Sequence, residues 1–284
     1  MISAEKLLLC TDLDRTALPN GAQPESAQAR AVFSQLCRLP QITLVYVGGR
    51  DKSLVQQAIA DYSLPVPDYA VTDVGSKIYR IEGGHWQPMM QWETEIDLAW
   101  RGNSPADLQA LFTDLQELTL QETEKQNTHK LSYYLPLQLN LTALLQLMQQ
   151  RLEKLGVAAS LVWSIDEPKG VGLLDVLPVN ATKLHAVSFL RDQLHFSTQH
   201  VVFAGDSGND LDIMVSEIPS VLVANASDDL KQQVQQQAQA RGHEQAVYLA
   251  RGDFLGMNGN YSAGILEGVW HFVPWLRDQL QGLK

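Results

Sequence analysis

The sequence predicts an α/β fold in which a doubly wound, mostly parallel sheet is interrupted by an inserted α+β domain. Residues 6–9 and 43–47 are short apolar runs, a pattern typical of parallel strands that are buried on both faces. The amphipathic stretch between them, residues 25–39, has the spacing of a crossover helix. With 284 residues, 45% of them hydrophobic, the chain is long enough for a core domain and a smaller second one.

The elements that follow continue this alternation. Residues 51–62 predict a second helix and residues 69–72 a third strand. Residues 77–80 and 85–87 lie on either side of Gly83-Gly84, which indicates a hairpin.

After this hairpin the pattern changes to that of an α+β insertion. We expect helices at residues 104–120 and 141–156 and strands at residues 130–135, 160–164 and 172–177. The sequence then predicts a helix over residues 183–194 and a strand over residues 200–204, and its tail, residues 261–280, predicts a last helix. We therefore expect residues 1–82 and 179–284 to form the core domain and residues 83–178 to form the inserted one.

Two aspartates, Asp12 and Asp14, follow the first apolar strand directly. Because side chains alternate along an extended chain, Asp12 and Asp14 point to the same side of the strand end. Two crowded carboxylates are costly to ionise unless a positive charge lies beside them. The pattern therefore indicates a cation site, whereas an Asp-x-Asp alone is also compatible with a solvated turn.

A second acidic cluster favours the cation site. The apolar strand at residues 200–204 leads into the sequence Gly-Asp-Ser-Gly-Asn-Asp at residues 205–210. In open α/β sheets, functional groups gather at the carboxyl ends of the strands. Oxygen ligands from Asp12, Asp14 and Asp206 suit Mg²⁺ better than zinc.

Lys183 lies between the two acidic segments, at the start of a predicted helix. An ordinary exposed lysine is the simplest interpretation of this residue. Its position favours a second one, in which Lys183 and the helix N-terminal amides offset the charge of a bound phosphate.

Composition limits the partners and the compartment. A formal net charge of −11 and a pI near 5.0 leave no basic field, so nucleic acid and anionic membranes are not expected as partners. Two cysteines do not make a disulfide framework, and we expect a reducing compartment. Because we find neither a targeting pattern nor an apolar run of membrane-spanning length, we expect a cytoplasmic protein.

Four segments in order resemble the motifs of the haloacid dehalogenase superfamily. They are Asp12-Leu-Asp14-Arg-Thr16, Gly48-Gly49-Arg50, Lys183, and the acidic loop at residues 205–210. A closer similarity is to the sucrose-phosphate phosphatases. It rests on the sequences HKLSYYL at residues 129–135, DVLP at 175–178, SAGIL at 262–266 and VGSKIY at 74–79. The resemblance implies a Rossmann-like core with an inserted cap.

By this resemblance, Asp12 is the nucleophile that becomes a transient aspartyl phosphate, and Asp14 is the general acid and base. Asp206 is a ligand of Mg²⁺ together with Asp12 and Asp14, and Asp210 is a further ligand or supports the others. The resemblance also implies phosphate contacts, from Gly48, Gly49, Lys183 and Asn209.

One position departs from the family. Gly48 occupies the place where the family usually carries a threonine or serine, so one hydrogen bond to the phosphate is missing. Such a bond to a charged group is worth about 1.5–3 kcal/mol. Backbone N–H groups of Gly48 and Gly49, Ser53, or a water are possible substitutes, because glycine lets the main chain approach closely.

The cap of this family is expected to choose the substrate, since the phosphate-handling groups serve any monoester. We single out His129 and Lys130 as candidate sugar-binding residues. For His129, a surface histidine ahead of an edge strand is an equal alternative.

The resemblance therefore implies a Mg²⁺-dependent phosphatase of a small-molecule sugar phosphate, with sucrose 6-phosphate as the first choice. The alternatives are a phosphatase of mannosylfructose, glucosylglycerol or glucosylglycerate phosphate, and a catalytically weakened sugar-phosphate-binding module that is associated with the cognate synthase.

Overall fold

A computed structural model describes residues 5–166, 169–252 and 254–282 of the chain. It divides into two compact units. One consists of the chain up to Pro88 and from Lys183 onward, and the other is Met89–Thr182. The predicted insertion, residues 83–178, also contains Glu167 and Pro168, which lie outside the described residues.

The first unit begins with alternating strands and helices that end in an antiparallel hairpin. In chain order these are β1 (Leu7–Thr11), α1 (Ala29–Cys37), β2 (Ile42–Val47), α2 (Lys52–Tyr62), β3 (Tyr69–Thr72), β4 (Lys77–Glu82) and β5 (His85–Pro88). Each strand and helix expected in this region is present, although α1 is shorter at both ends than the predicted helix.

The second unit contains its own helices and strands. They are α3 (Met90–Trp100), α4 (Pro105–Ala110), β6 (Thr119–Leu120), β7 (Leu131–Leu135), α5 (Leu141–Leu155), β8 (Ala159–Asp166) and β9 (Val171–Pro178). Its four strands form an antiparallel sheet in the order β6-β7-β9-β8.

The chain then returns to the first unit for its remaining elements. They are α6 (Lys183–Gln193), β10 (Val201–Gly205), α7 (Leu211–Met214), β11 (Ser220–Leu222), α8 (Asp228–Arg241), β12 (Val247–Leu249), α9 (Ser262–Phe272) and α10 (Arg277–Gly282). The eight-stranded sheet of this unit has the order β12-β11-β10-β1-β2-β3-β4-β5. Strands β12 to β3 are parallel, and β4 and β5 are antiparallel. The predicted α/β class, with a mostly parallel sheet and a separate antiparallel one, is confirmed.

Strand β1 lies in the middle of this sheet, and all five of its residues are buried, as expected for a largely apolar strand in a parallel sheet. On one side it pairs with β2, the next strand in the chain, and on the other with β10. The strand order thus reverses between β1 and β10, and this is the position where open α/β sheets form ligand crevices. One face of the sheet is covered by a core that includes Phe33 of α1 and Leu266 of α9.

The helix predicted at residues 104–120 is wrong. Only Pro105–Ala110 is helical, and Thr119–Leu120 is a strand paired with β7. Leu108 and Phe112 nevertheless lie in the core of the second unit, and Leu111, Leu115 and Leu118 pack against it. Turns and a short helix therefore bury the same apolar residues that a long amphipathic helix would bury, so the spacing alone does not distinguish the two.

The compact units divide a few residues later than the predicted domain boundaries. Strand β5 belongs to the first unit because it pairs with β4 in the eight-stranded sheet. At the other boundary, the side chain of Asn180 donates a hydrogen bond to the carbonyl of Glu95, which ties the residues after β9 to α3 of the second unit.

Among the described residues, no helix combines the length and the apolar character that crossing a membrane requires.

Candidate active site

Asp12 follows β1 directly and lies beside the end of β10. Its backbone N–H continues the strand ladder by donating to the carbonyl of Ala204 at 2.8 Å. The side chain is 5% exposed, and its Oδ1 accepts a hydrogen bond from the N–H of Leu13 at 2.8 Å. The carboxylate is thus fixed at the reversal point of the sheet.

Lys183, the first residue of α6, connects Asp12 with the acidic loop. Its Nζ lies 3.3 Å from Oδ2 of Asp12 and 2.6 Å from Oδ1 of Asp210. The same ammonium group donates to Oδ1 of Asn209 at 3.0 Å. The structure therefore brings together four residues that the sequence analysis selected from distant segments.

The loop after β10 is shaped by Asp210. Its Oδ2 accepts hydrogen bonds from the N–H groups of Asp206 at 3.1 Å and Ser207 at 3.2 Å. A Cβ atom at Gly205 would lie only 2.5 Å from this oxygen, so the close approach requires glycine. With Oδ1 bonded to Lys183, both carboxylate oxygens of Asp210 have partners.

Asp206 has two partners from the loop that follows Asp12. Thr16 Oγ1 donates to Oδ1 of Asp206 at 3.3 Å, and Arg15 Nε lies 3.2 Å from its Oδ2. Neither residue was predicted from the sequence to have a role in the site. The position of Thr16 in the Asp-x-Asp-x-Thr pattern could have indicated that its hydroxyl contacts the site. Nothing in the sequence related Arg15 to Asp206.

The three aspartates Asp12, Asp206 and Asp210 fit a divalent metal ion. Each is buried and offers a carboxylate oxygen within 4.8 Å of those of the other two. Carboxylate oxygens are the ligands that Mg²⁺ prefers. Oδ2 of Asp210 accepts from two backbone N–H groups, whereas each carboxylate oxygen of Asp12 and Asp206 has one partner among the described residues, so Asp12 and Asp206 have more capacity to coordinate a metal ion.

Burial and mutual repulsion change the protonation of this cluster. Burial raises the pKa of Asp12 to about 7 against the opposing charge of Lys183. Burial is the main cause, and the charge of Asp210 a smaller one, of the rise in the pKa of Asp206 to about 6. Burial disfavours the charged form of Lys183, but the ion pairs with Asp12 and Asp210 outweigh it and raise the pKa of Lys183 above its usual value. The positive charge near these carboxylates is therefore too small to keep all of them ionised, and a divalent cation supplies the missing charge when bound.

The side chain of Asp14 is not part of this three-residue cluster. Arg50 donates to both of its oxygens, from Nη2 at 2.6 Å and from Nε at 2.9 Å, and Asn20 donates to Oδ1 at 2.7 Å. Burial raises the pKa of Asp14, but the hydrogen bonds from Arg50 outweigh it and leave the pKa below its usual value. The sequence predicts Asp14 as a metal ligand; in the structure its side chain forms an ion pair with Arg50 and lies outside the group of three carboxylates within 4.8 Å of one another.

Gly48 and Gly49 lie at the end of β2, beside Asp12. The N–H of Gly48 donates to the carbonyl of Val71 at 3.0 Å, so it does not have the freedom to bind phosphate that the sequence analysis gave it. A Cβ atom at Gly48 would lie 3.4 Å from Oδ1 of Asp12, an ordinary contact distance. Gly49 is exposed at the cavity described next.

A cavity of about 380 Å³ opens over these side chains. Both acidic and basic residues line it, together with polar and apolar ones: Asp12, Asp14, Arg15, Gly49, Arg50, Leu54, Asp206, Ser207 and Asn209. The volume is large enough for a phosphate group with part of its ester.

The candidate sugar-binding residues, His129 and Lys130, lie in the second unit. They are adjacent in sequence but contact different residues. His129 is 5% exposed, its Nε2 lies 3.0 Å from Oδ1 of Asp97, and its ring lies against Trp100. The Nζ of Lys130 lies 3.9 Å from Oδ1 of Asp175, which also accepts a hydrogen bond from Ser132. His129 is thus held in the interior of its unit and is not the surface histidine of the alternative interpretation.

These features define a hydrolase of the haloacid dehalogenase superfamily. They are the mostly parallel sheet of an α/β fold, aspartates after two adjacent central strands, a lysine at the start of a helix and the Gly-Asp-x-Gly-Asn-Asp loop. Within that superfamily, the chain belongs to the sucrose-6F-phosphate phosphohydrolase family, whose model matches residues 5–273. Members of this family are phosphoric monoester hydrolases.

Individual relatives agree with this family. The chain is 50% identical over 273 residues to a protein of Nitrosococcus oceani whose name describes it as a hydrolase like those of the haloacid dehalogenase superfamily. The matched region covers 96% of this chain and 73% of that protein. The chain is 28% identical to a glucosylglycerol-phosphate synthase of Pseudomonas anguilliseptica and 26% identical to sucrose-phosphatase 1 of Nicotiana tabacum, over 94% and 96% of this chain. It spans only 31% of the synthase and 60% of the tobacco enzyme.

Solved structures are also similar over nearly the whole chain. One of them is the sucrose-phosphatase of Synechocystis sp. PCC6803 in complex with sucrose and phosphate, with a TM-score of 0.71 and 27% sequence identity. The match covers 94% of this chain and 98% of that one.

Proposed function

We propose that this protein is a Mg²⁺-dependent phosphatase that hydrolyses sucrose 6-phosphate to sucrose and phosphate. The observation that carries the proposal is the convergence of Asp12, Asp206 and Asp210 within 4.8 Å of one another, with Lys183 bonded to two of them. Carboxylates from opposite parts of the chain share one ammonium group at the edge of a cavity, which is an arrangement suited to phosphoryl transfer.

Asp12 is the proposed nucleophile. One of its carboxylate oxygens attacks phosphorus, a new O–P bond forms, and the bond from phosphorus to the sugar oxygen breaks. Its Oδ1 is oriented by the N–H of Leu13 and its Oδ2 by Lys183, so the side chain is held ready for attack. Water then cleaves the aspartyl phosphate and releases inorganic phosphate.

Asp14 is the proposed general acid and base. It gives a proton to the departing sugar oxygen and later takes one from the attacking water. Because the ion pair with Arg50 favours the ionised form of Asp14, this role requires the pair to open before the proton is transferred.

Asp12 and Asp206 are the proposed metal ligands, and Asp210 is a further ligand or a support for the loop. A divalent cation bound there supplies positive charge that lowers the repulsion between the anionic nucleophile and the anionic ester. Lys183 and Asn209 are proposed to contact the phosphate, together with the exposed backbone of Gly49.

The second unit, which begins at Met89, is the proposed cap that selects the sugar. Lys130 lies just before β7 with its ammonium group 3.9 Å from Asp175, and the buried hydroxyl of Ser132 donates to the same carboxylate. The ammonium of Lys130 is the group that is proposed to donate to sugar hydroxyls. The sucrose found in the Synechocystis enzyme supports sucrose as the sugar of this chain's substrate. Because the His129 ring is held between Asp97 and Trp100, we propose that it supports the position of Lys130 and does not contact the sugar directly.

A second candidate substrate is glucosylglycerol phosphate. It is favoured by the similarity of this chain to part of the Pseudomonas glucosylglycerol-phosphate synthase. Mannosylfructose phosphate and glucosylglycerate phosphate have no comparable support. A binding module associated with the synthase would not need the nucleophile, the metal ligands and the lysine together, and this chain retains all of them.

Inorganic phosphate release from a panel of sugar phosphates tests the proposal. We expect release from sucrose 6-phosphate with Mg²⁺, and none after Mg²⁺ is removed with EDTA. Preference for glucosylglycerol phosphate would favour the second candidate. No release from any member of the panel, while the protein still binds sugar phosphates, would favour the binding module.

A further inference from the structure

Arg15 has a backbone conformation that is unusual for an arginine. Its φ angle is 57°, in the left-handed region that glycine adopts without cost. The conformation is enforced from both sides, because Asn20 Oδ1 accepts from the N–H of Arg15 and Asn225 Nδ2 donates to its carbonyl, each at 2.7 Å. Two side chains therefore fix the backbone of Arg15 in a strained conformation, and strain of this kind is often found at functional sites.

The guanidinium of Arg15 lies on one of the proposed metal ligands. Its Nε is 3.2 Å from Oδ2 of Asp206, which is its one ion pair among the residues that the structure describes. The Arg15 side chain is 49% exposed, whereas that of Asp206 is 2% exposed. Arg15 also lines the cavity over Asp12. One partner is therefore fixed, and the other is free to turn toward a ligand in the cavity.

The cavity needs another donor for phosphate. Lys183 is already bonded to Asp12, Asn209 and Asp210, and position 48 has no hydroxyl and no free N–H. Three carboxylates but only two guanidinium groups, those of Arg15 and Arg50, line the cavity, so a phosphate dianion depends on every available positive charge.

We propose that Arg15 exchanges its partner during the reaction. In the metal-free protein it neutralises Asp206, and when a divalent cation takes Asp206, the guanidinium turns into the cavity and binds the phosphate of the substrate. A guanidinium suits both partners, because its planar donors match carboxylate and phosphate oxygens equally well. This inference rests on the proposed function, and it assigns to Arg15 the phosphate contact that Gly48 lacks.

Calorimetric titrations of three variants test the exchange. Arg15→Gln removes the charge, Arg15→Lys keeps it, and Arg80→Gln is the matched control, because Arg80 is exposed and pairs with Glu82 away from this cavity. Mg²⁺ is titrated into each protein alone, and orthophosphate is then titrated into the Mg²⁺-loaded protein.

We expect Arg15→Gln to bind Mg²⁺ about threefold to tenfold more tightly, because a competing cation is gone. It should bind orthophosphate about tenfold more weakly, the effect of one charge-assisted hydrogen bond. Arg15→Lys should lie between it and the native protein, and Arg80→Gln should match the native protein in both titrations.

Several results would overturn the exchange. They are a Mg²⁺ affinity that is unchanged or weaker in Arg15→Gln, an unchanged orthophosphate affinity, or equal losses in Arg15→Gln and Arg80→Gln. If the native protein binds neither Mg²⁺ nor orthophosphate, the proposed function fails first and the exchange fails with it, so the two failures are distinguishable.

Discussion

Arg50 holds the carboxylate of Asp14 with two hydrogen bonds, from Nη2 to Oδ1 at 2.6 Å and from Nε to Oδ2 at 2.9 Å. The two residues come from the loops after neighbouring strands β1 and β2. The pair stabilises the ionised form of Asp14, whereas a general acid must carry a proton. Opening of this ion pair is therefore part of the proposed catalytic cycle.

Arg50→Gln should raise the pKa of Asp14, because the hydrogen bonds and the charge that lower it are removed. Asp14 then stays protonated to a higher pH, so we expect the alkaline limb of the kcat profile to move to higher pH. The measurement is phosphate release as a function of pH, with Arg80→Gln as the control for the lost charge. A limb that stays in place, or moves to lower pH, would mean that Arg50 does not set the protonation of Asp14.

Two glycines of the site should respond in opposite ways to a larger side chain. At Gly48 a Cβ atom fits at 3.4 Å from Asp12, so Gly48→Thr should leave kcat/KM unchanged or raise it by supplying a hydroxyl. At Gly205 the added atom would lie 2.5 Å from Asp210, so Gly205→Ala should reduce stability by about 1–3 kcal/mol.

Urea unfolding and steady-state kinetics of both glycine variants check this pair of expectations. A large loss of activity in Gly48→Thr would show that the geometry of this site requires glycine there. A Gly205→Ala variant as stable as the native protein would show that the loop after β10 adjusts without cost.

The binding of Mg²⁺ should strengthen as the pH rises. The raised pKa values of Asp12, about 7, and Asp206, about 6, mean that the folded metal-free protein binds more protons than the unfolded chain between about pH 4 and pH 7. The stability contributed by these two groups is therefore complete below pH 4 and is lost as the pH rises through 6 and 7. Mg²⁺ replaces those protons, so its benefit grows over the same interval.

Thermal unfolding with and without Mg²⁺ measures this linkage. We expect saturating Mg²⁺ to raise Tm by a few degrees more at about pH 8 than at about pH 5. Potassium chloride of matched ionic strength is the control for screening. An increase in Tm that is the same at both pH values would contradict the assignment of Asp12 and Asp206 as ligands.

Lys130→Ala should separate recognition of the sugar from hydrolysis. We expect KM for sucrose 6-phosphate to rise about tenfold, since a charged hydrogen-bond donor is lost, while hydrolysis of p-nitrophenyl phosphate is unchanged. Lys154→Ala, an exposed lysine on α5, is the matched control. Because Lys130 is buried beside Asp175, a melting curve must show that the variant is folded. Equal losses with both substrates would remove Lys130 from the sugar site.

The sequence alone was sufficient to predict the site residues that come directly after the ends of strands. Asp12 and Asp206 come immediately after apolar strands, and adjacent parallel strands present such residues at one edge. Lys183 was identified because it lies between them in the order of the chain, and its Nζ lies within 3.3 Å of Asp12.

Contacts that depend on loop conformation could not be predicted in this way. The carbonyl of Arg15 is fixed by Asn225, which lies 210 residues later in the chain, and neither residue belongs to a recognisable pattern. The ion pair of Asp14 with Arg50 also depends on side-chain rotamers at the ends of two strands. In the second unit, the apolar spacing correctly predicted which residues are buried, but it wrongly predicted a helical backbone at residues 111–120. A turn and a helix bury the same side chains there, so the spacing does not distinguish them.

The most direct test of the account is to find where the phosphoryl group goes. Native protein and Asp12→Asn are mixed with sucrose 6-phosphate and Mg²⁺, quenched with acid within one turnover, digested and analysed by mass spectrometry. We expect a phosphorylated peptide that contains Asp12 in the native protein, and neither this peptide nor steady-state turnover in a folded Asp12→Asn variant. Steady-state hydrolysis by Asp12→Asn, or a phosphoryl group on another residue of the native protein, would contradict the account.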